Sequence, residues 1–450
     1  MASPRASIGP LPSGRAAAGD GEDDGAAPGA HASGWRSRAT VRQCAILVGG
    51  LGTRLGSLTA TLPKPLMPVG DRPFLAWLMR EMQRFGVEEF VLLAGHLSDE
   101  IERAVDSLHR FLPKPARIHL SVEPHRAGTG GALFHARALL DERFLLCNGD
   151  SLFGCNLSTM LARAGREDGA ARHWMMLRAV PDTARYGVAS LVPDASGSGL
   201  AGRIDGFSPG RAAGAPGLIN AGIYLLCRDA LEGLRPSCSL EADIIPALAA
   251  SGRLNGVVGE GYFRDIGIPA DLALAQDELP RVLHRPALFL DRDGVINRDH
   301  GWVGTRDRFD WMPESREGAR RATTAGWHVF VVTNQSGIAR GFYDEQQLDE
   351  LHRWMADELR AAGGTLDDLR FCPFHPDAVL DRFRRASDWR KPAPGMILDL
   401  LRVWGLDPAR CVLIGDQPTD IQAAAAAGVA AHLCGDGQLL SILSGIGIAA

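Results

Sequence analysis

A group of glycines, one hydroxyl and two cations lies directly after the first apolar segment of the chain. That segment, 45–48 (AILV), predicts a buried β-strand. The residues that follow it are, in chain order, Gly49, Gly50, Gly52, Thr53, Arg54 and Lys64. Because glycine frees the backbone from side-chain clashes, several N–H groups after the strand can point at one phosphate. The stretch therefore predicts an anion site suited to a triphosphate, with a simple tight turn as the alternative.

Two carboxylates in the same half of the chain stand where a metal ligand would be needed. Asp150 ends the apolar run 144–147 (FLLC) through Asn-Gly, and Asp265 stands close to Gly267. Mg²⁺ prefers one or two carboxylates together with phosphate oxygens, so both acids are candidate ligands. For Asp150, capping of the segment that follows is the alternative, and each acid alone is ambiguous.

A second group of polar residues lies in the C-terminal part of the chain, mostly at the ends of apolar runs. The group comprises Asp291, Asp293, Thr333, Lys391 and Asp416. Since side chains two apart on a strand share a face, Asp291 and Asp293 can point into one pocket. A cap or a surface ion pair would explain any single member. Together they predict a second pocket that gathers oxygens around a divalent ion.

The elements that position these residues alternate between strands and helices in the first half of the chain. Apolar patterns predict strands at 43–48, 90–94, 117–122, 143–147, 173–180 and 222–226, and helices at 73–85, 98–107, 129–139 and 157–165. Such alternation implies an α/β fold with a mostly parallel sheet covered by helices on both faces. Ligands of these sheets bind beyond the carboxyl ends of the strands.

The length of 450 residues suggests two or three domains. Residues 1–40 are rich in Ala, Gly, Ser and Pro and lack periodicity, which predicts a disordered segment without a secretory signal. We assign a first domain to residues 41–280 and a second to residues 286–450, both doubly wound α/β units. The joint between them is expected within 276–286.

The composition excludes several classes of function. A net charge of −5 gives no electrostatic reason for nucleic-acid binding, and no apolar run is long enough to span a membrane. The eight cysteines form no C-x-x-C pair, which predicts reduced core residues and a cytoplasmic protein. The sequence leaves open whether the protein forms homo-oligomers.

The pattern GGxGTRL…LPKPLxPV over residues 49–69 resembles the sugar nucleotidyltransferases, which join a sugar 1-phosphate to a nucleoside triphosphate. The similarity extends over nearly the whole first domain. It implies a Rossmann-like fold in which Arg54 and Lys64 stabilise the triphosphate and Mg²⁺ binds Asp150 and Asp265. It further implies nucleotide contacts from Gly49, Gly50, Gly52, Thr53, Gly128 and Gly130, and sugar contacts from Asn220 and Glu241.

The motifs LDRDGVIN, TNQSGIARG, RKPAPGM and GDQPTDIQAA resemble the haloacid dehalogenase superfamily. Within it they are most similar to the D-glycero-D-manno-heptose 1,7-bisphosphate phosphatases, with histidinol-phosphate phosphatases as the alternative. The resemblance implies that Asp291 forms an aspartyl-phosphate and that Asp293 is the general acid and base. Thr333 and Lys391 would hold the phosphoryl oxygens, and Mg²⁺ would bind Asp291, Asp416 and the Asp293 carbonyl. The implied substrate contacts are Asp299, His300, Asn334, Gln335, Ser336 and Arg390.

The chain departs from these families at two places. Many nucleotidyltransferases carry a Glu-Lys pair after the strand that here leads into 204–209; Arg203 or Arg211 would have to replace the lysine.

Zinc-bearing phosphatases use Cys-x-His and Cys-x-Cys, whereas only Cys372 stands here. The matching positions are Phe374, Ser387 and Trp389. One ligand cannot build a tetrahedral site, so we predict no structural zinc and a loop held by aromatic packing.

A phosphatase that leaves a sugar 1-phosphate and an enzyme that consumes one form two consecutive steps. The first domain is most similar to the D-glycero-α-D-manno-heptose 1-phosphate guanylyltransferases, so the expected substrates are heptose 1,7-bisphosphate, heptose 1-phosphate and GTP. One alternative is a mannose- or other hexose-1-phosphate nucleotidyltransferase fused to a related sugar-phosphate phosphatase. Another is a nucleotide-sensing domain that regulates the phosphatase; retention of both metal carboxylates argues against it.

Overall fold

The computed structural model describes residues 41–166, 173–195, 199–209 and 215–449. The predictions for residues 1–40 and for Arg211 concern residues outside these ranges. Within the described ranges, no helix is both long enough and apolar enough to cross a membrane.

The first domain is an α/β unit built on a nine-stranded sheet and two small two-stranded sheets. Its elements are β1 (Gln43–Leu47), β2 (Pro68–Val69), β3 (Arg72–Pro73), α1 (Phe74–Arg84), β4 (Glu89–Ala94), α2 (Ser98–His109), β5 (Arg117–Val122), α3 (Gly128–Ala136), β6 (Arg143–Asn148), β7 (Ser151–Gly154), α4 (Ser158–Arg166), β8 (His173–Val180), β9 (Val188–Pro193), β10 (Ala201–Ser208), β11 (Gly217–Cys227), α5 (Ile245–Ala250), β12 (Leu254–Val258), β13 (Tyr262–Asp265) and α6 (Pro269–Leu283).

The large sheet has the order β5-β4-β1-β6-β11-β8-β12-β10-β9. Its first four strands are parallel, whereas β11 runs antiparallel to both neighbours and β10 pairs antiparallel with β9 and β12. The α/β class is confirmed, but this sheet is mixed rather than mostly parallel. The strand predicted at 222–226 is the end of the longer β11. The other half is mixed: β12 pairs parallel with β8, whereas the pairings of β9, β10 and β11 are antiparallel. Antiparallel neighbours need no helical crossover, and none is found in the described parts of the connections from β8 to β11.

The two strands β1 and β6 of the parallel half are buried on both faces. Alternate residues of β1 and β6 belong to two separate cores: Ile46 and Leu145 to one, Ala45 and Leu146 to the other. Near-continuous apolar runs are typical of such strands. The loops that follow β1 and β6 therefore start from fixed positions.

The second domain has a five-stranded sheet with the order β16-β15-β14-β17-β18, and all four pairings are parallel, as predicted. Its elements are β14 (Ala287–Leu290), α7 (Ser315–Thr324), β15 (His328–Asn334), α8 (Glu345–Ala361), β16 (Asp368–Cys372), α9 (Gly395–Trp404), β17 (Cys411–Gly415), α10 (Pro418–Ala426), β18 (Ala430–Leu433) and α11 (Leu439–Gly445). The carboxyl ends of β14, β15 and β17 lie side by side at the centre of the sheet.

The joint predicted at 276–286 is mostly helical, because α6 continues to Leu283 through Pro280. Only residues 284–286 separate this helix from β14. Ala275, Leu279 and Leu283 pack into one core with residues of α1. This packing offsets the backbone hydrogen bond that a proline removes from a helix.

Buried charged side chains connect the two domains. Arg84 on α1 donates to Asp367 Oδ1 at 2.8 Å and to the Trp327 carbonyl at 2.8 Å. One turn earlier, Glu81 accepts from Arg285 at 2.7 Å. Burial raises the pKa of Glu81, but Arg285 and Arg84 outweigh that effect and lower it to about 2. Helix α1 is therefore fixed to the second domain by complementary charges that are shielded from water.

Replacing Arg84 with alanine should destabilise the protein by about 3–5 kcal/mol, because the buried Asp367 would lose its arginine and keep only the hydrogen bonds of His328, Val329 and Thr365. The measurement is urea-induced unfolding followed by tryptophan fluorescence. The matched control is Arg103→Ala, which removes an exposed pair with Glu100 and should cost less than about 1 kcal/mol. Equal shifts in the two variants would contradict a stabilising role for the domain interface.

Candidate active sites

A cavity of about 620 Å³ opens in the first domain at the carboxyl ends of β1, β4 and β6. This is where ligands of parallel sheets are expected to bind. Six of the residues predicted from the sequence line it: Gly49, Gly50, Lys64, Gly128, Asp150 and Glu241. The glycine loop, the buried lysine and one candidate metal ligand therefore line the same cavity.

The first glycine of the loop is required by a close approach of two strand ends. A Cβ on Gly49 would lie 2.7 Å from the backbone nitrogen of Gly95, just after β4. Gly52 has a positive φ of 62°, which starts the short helical turn Thr53–Thr59. The loop can therefore pass close to the end of β4 and place Gly49 and Gly50 against the cavity.

Lys64 places the cation of this site against a carboxylate. It lies between two prolines at the start of the turn Lys64–Leu66, and its side chain is buried. Its Nζ donates to Asp150 Oδ2. Because the prolines fix the backbone and β6 fixes Asp150, the pair meets at a defined point of the cavity wall.

The structure brings the two candidate metal ligands of the first domain together. β13, which ends at Asp265, pairs antiparallel with β7, and Asp265 stands opposite Ser151. The Ile266 N–H donates to the Asp150 carbonyl at 2.9 Å. Burial raises the pKa of Asp265, and Asp150 raises it further. Two half-buried carboxylates that repel each other and offer only oxygen donors fit a divalent cation such as Mg²⁺.

Six other predicted residues of this domain are not part of the cavity lining: Gly52, Thr53, Arg54, Gly130, Asn220 and Asp265. The exposed Arg54 lies beside Asp265, since a Cβ on Gly267 would lie 3.1 Å from its guanidinium. The Gly130 N–H donates to the Cys238 carbonyl at 3.0 Å, so its role there is packing. Arg203, proposed in place of the missing lysine, is exposed on β10. The functional assignments of these residues stay predictions.

The sugar-side candidates form a small buried network. Glu241 lies in the π-helical turn Leu240–Ile244 and accepts from Asn220 Nδ2 at 3.1 Å. The same Asn220 nitrogen lies 2.5 Å from the Tyr224 hydroxyl. Burial raises the pKa of Glu241, and Asp150 adds to the rise. Tyr224 was not predicted, because its place within an apolar strand indicates only a core residue.

A pocket of about 260 Å³ lies at the carboxyl ends of β14, β15 and β17 in the second domain. Nearly all residues predicted for this site line it. They are Asp291, Asp293, Asp299, Thr333, Asn334, Gln335, Ser336, Arg390, Lys391 and Asp416. His300 is the exception: it is exposed, and its Nε2 lies 2.7 Å from Asp310. The parallel sheet gathers side chains that are up to 125 positions apart in the chain, Asp291 to Asp416.

Lys391 sits between two carboxylates at the base of this pocket. Its Nζ lies 2.9 Å from Asp291 and 2.5 Å from Asp420, and it donates to the Val332 carbonyl at 2.9 Å. Burial raises the pKa of Asp291 to about 7, although Lys391 opposes the rise. A cation or phosphoryl group that arrives next to Asp291 would therefore change its protonation.

The second aspartate of the motif, Asp293, is held by three donors that fix its orientation. Arg292 donates to both of its oxygens, at 2.8 and 2.9 Å. Asn297 donates to Oδ1 at 2.9 Å, and Gln335 donates to Oδ2 at 2.8 Å. The Tyr343 hydroxyl in turn donates to Gln335 at 2.6 Å. Arg292, Asn297 and Tyr343 were not predicted as site residues, although Arg292 stands between the two aspartates in the sequence.

Comparisons with known proteins bear on these sites. The family model for nucleotidyl transferases matches residues 44–281, and a HAD-hydrolase-like model matches residues 388–439. The D-glycero-beta-D-manno-heptose-1,7-bisphosphate 7-phosphatase of Rhodopseudomonas palustris is 52% identical over 145 residues, which are 32% of this chain and 81% of the relative. This chain belongs to both families.

Further relatives agree with this classification. The Escherichia coli K12 protein with the same name is 43% identical over 144 residues, 32% of this chain and 75% of the relative. Among solved structures, HddC from Yersinia pseudotuberculosis complexed with GMP-PN is 29% identical and covers 53% of this chain and 99% of its own, with a TM-score of 0.44. The family model over residues 44–281 makes the first domain the nucleotidyl transferase domain, and the sequence identity to the heptose bisphosphate phosphatases makes the second the phosphatase domain.

The phosphatase domain offers an all-oxygen donor set for Mg²⁺. Carboxylate oxygens of Asp291, Asp416 and Asp420 lie within 4.8 Å of one another. Asp416 Oδ1 is buried and has no hydrogen-bond partner among the described residues. At Gly294, whose φ is 85°, a Cβ would lie 2.3 Å from Asp416 Oδ2, so this glycine lets Asp416 approach the loop after β14. These residues fit Mg²⁺.

The loop that carries zinc in some relatives is packed around aromatic side chains here. Cys372, Phe374 and Phe383 are buried in the core of the phosphatase domain, and Phe371 and Trp389 pack against it. The expected aromatic packing is therefore observed. That the loop binds no zinc stays a prediction.

Proposed function

We propose that this chain is a bifunctional enzyme of nucleotide-sugar synthesis. It removes the 7-phosphate of D-glycero-D-manno-heptose 1,7-bisphosphate and then joins heptose 1-phosphate to a nucleotide, releasing pyrophosphate. The observation that carries the proposal is the presence in one chain of two complete acid-and-lysine sites. Lys64 meets Asp150 in the transferase domain, and Lys391 meets Asp291 in the phosphatase domain.

In the phosphatase domain, Asp291 attacks the phosphorus of the 7-phosphate and forms an aspartyl-phosphate. Asp293 protonates the leaving oxygen of the sugar and then takes a proton from the water that hydrolyses the intermediate. Thr333 and Lys391 hold the phosphoryl oxygens. Asp291, Asp416 and the Asp293 carbonyl would hold Mg²⁺, which would supply positive charge that neutralises the phosphoryl group.

In the transferase domain, a phosphate oxygen of the sugar 1-phosphate attacks the α-phosphorus of the nucleoside triphosphate. Such a transfer depends on position and charge neutralisation more than on covalent help from the protein. Lys64 binds the triphosphate oxygens, and the glycine loop lets the nucleotide approach the backbone. Asp150 and Asp265 would hold Mg²⁺, which supplies further positive charge when bound.

GTP is the proposed nucleotide because the first-domain motifs are most similar to heptose 1-phosphate guanylyltransferases. The phosphatase acts first, since its product carries the single phosphate that the transferase uses. We also propose a cytoplasmic location, because all eight cysteines are free thiols.

The test is a sequential assay on the purified full-length chain with Mg²⁺. Heptose 1,7-bisphosphate alone should release one phosphate per sugar, and addition of GTP should then release pyrophosphate and form GDP-heptose. ATP, UTP and TTP in parallel reactions test the base, and both anomers of the sugar phosphate test the stereochemistry. If pyrophosphate is released with mannose 1-phosphate but not with any heptose phosphate, the hexose alternative would be supported instead. Binding of nucleotides without pyrophosphate release from any sugar would support the regulatory one.

A further inference from the structure

The hydrogen bonds that join the two domains reach one edge of the phosphatase sheet. Their partners in the phosphatase domain each end a helix, follow a helix closely or stand directly before a strand. They are Thr324, Trp327, Ala361, Gly363, Asp367 and Trp404. Where helices connect parallel strands, the helix ends and the strand starts lie at the amino-terminal edge of the sheet. The pocket that contains Asp291 and Lys391 lies at the opposite, carboxyl edge.

Strand β15 runs from the domain interface to the phosphatase pocket. It starts at His328, whose Nδ1 lies 3.0 Å from Asp367 Oδ1, the oxygen that Arg84 also contacts. It ends at Asn334, which lines the pocket together with Thr333. Its 7 residues span about 23 Å at about 3.3 Å each. The phosphatase pocket therefore lies a full strand length from the transferase domain, at the edge that faces away from it.

Helix α1 separates the interface from the cavity in the transferase domain. The Phe74 N–H at its start donates to the Met67 carbonyl at 2.9 Å, and the Met67 N–H donates to the Lys64 carbonyl at 3.1 Å. The helix therefore begins beside the cavity that Lys64 lines. Its 11 residues end at Arg84, which contacts Asp367 of the phosphatase domain. At about 1.5 Å per residue, the helix spans about 16 Å.

The two sites thus lie at opposite ends of the molecule, with the domain interface between them. We propose that heptose 1-phosphate leaves the phosphatase pocket into solvent and reaches the transferase cavity by diffusion. This inference rests on the proposed function, in which one site makes the substrate of the other. A tether raises the effective concentration of a ligand only where the geometry lets both sites engage it, and these sites face away from each other. The released sugar is therefore open to any other enzyme that acts on a sugar 1-phosphate, and the transferase also accepts sugar 1-phosphate made elsewhere.

An isotope-dilution experiment on the full-length wild type tests this inference. Heptose 1,7-bisphosphate with a radiolabelled sugar is converted with GTP and Mg²⁺, with and without an excess of unlabelled heptose 1-phosphate. The label in GDP-heptose should fall in the ratio of the two pools, at least about tenfold for a tenfold excess, because the tether gives the labelled molecule no advantage. The lag before GDP-heptose appears should also lengthen as the enzyme is diluted.

The reference is a mixture of two full-length variants, Asp291→Asn and Lys64→Ala, in which each chain keeps one working site. Transfer within a chain is impossible in this mixture. Its label should therefore be diluted to the same extent as that of the wild type.

The outcomes separate this inference from the proposed function. Label that stays undiluted in the wild type but is diluted in the mixture would show direct transfer within the chain and overturn the inference. Undiluted label in both would show transfer between subunits and overturn it as well, and so would a lag that does not depend on enzyme concentration. Failure of the wild type to release phosphate from the bisphosphate, or to form GDP-heptose from added heptose 1-phosphate, would overturn the proposed function itself.

Discussion

Asp291→Asn is expected to abolish phosphate release from heptose 1,7-bisphosphate, with kcat reduced by at least about 10³-fold. The amide has nearly the same size as the carboxylate but cannot attack phosphorus. Lys391 retains Asp420 as a partner in this variant, so no buried cation is left unpaired. The measurement is phosphate release under saturating bisphosphate and Mg²⁺.

The second activity of the chain provides the control for this variant. Asp291→Asn should form GDP-heptose at the wild-type rate when heptose 1-phosphate and GTP are supplied directly. It should form none when heptose 1,7-bisphosphate is the only sugar. Residual phosphate release within about tenfold of the wild-type rate would exclude Asp291 as the nucleophile.

The strand-tip residues could be predicted because the pattern that indicates a buried strand also determines where it ends. Asp150, Asp291, Thr333 and Asp416 each follow an apolar run. Once the strands are parallel neighbours, their carboxyl ends must lie at one edge of a sheet. The pairing of β14 with β15 and β17 places three of these residues in one pocket. No further tertiary information was needed.

Residues whose role depends on contacts across the fold were missed. Asn297 and Tyr343 act on Asp293 directly or through Gln335, and nothing in their local sequence indicates it. The mixed half of the first sheet was missed for a related reason. Periodicity predicts that a strand exists, but the pairing direction depends on which strands meet. The charged interface around Arg84 was also missed, because an arginine on a helix is usually exposed and its sequence does not reveal a buried partner.

The rarity of lysine is a sequence signal that could have sharpened the prediction of which cations lie in the active sites. The chain contains only three lysines among its 48 basic Lys and Arg residues: Lys64, Lys114 and Lys391. Two of them contact acids in the two active sites, and Lys114 donates to the Asp367 carbonyl at the domain interface at 2.8 Å. A compact ammonium group fits narrow sites that a planar guanidinium does not. In a chain that otherwise uses arginine, this rarity ranks Lys64 above the exposed Arg54.

Lys64→Ala is expected to reduce nucleotidyl transfer by at least about 10²-fold, because the positive charge that faces the triphosphate oxygens is lost. Lys64→Arg should restore little, since the larger guanidinium must enter a buried position between two prolines next to Asp150. The measurement is pyrophosphate release from GTP and heptose 1-phosphate, and phosphate release from the bisphosphate should stay at the wild-type level in both variants. Loss of both activities would indicate misfolding, whereas full transfer by Lys64→Ala would remove Lys64 from the catalytic site. Full rescue by arginine would show that charge alone matters there and that the narrow fit between Pro63 and Pro65 does not.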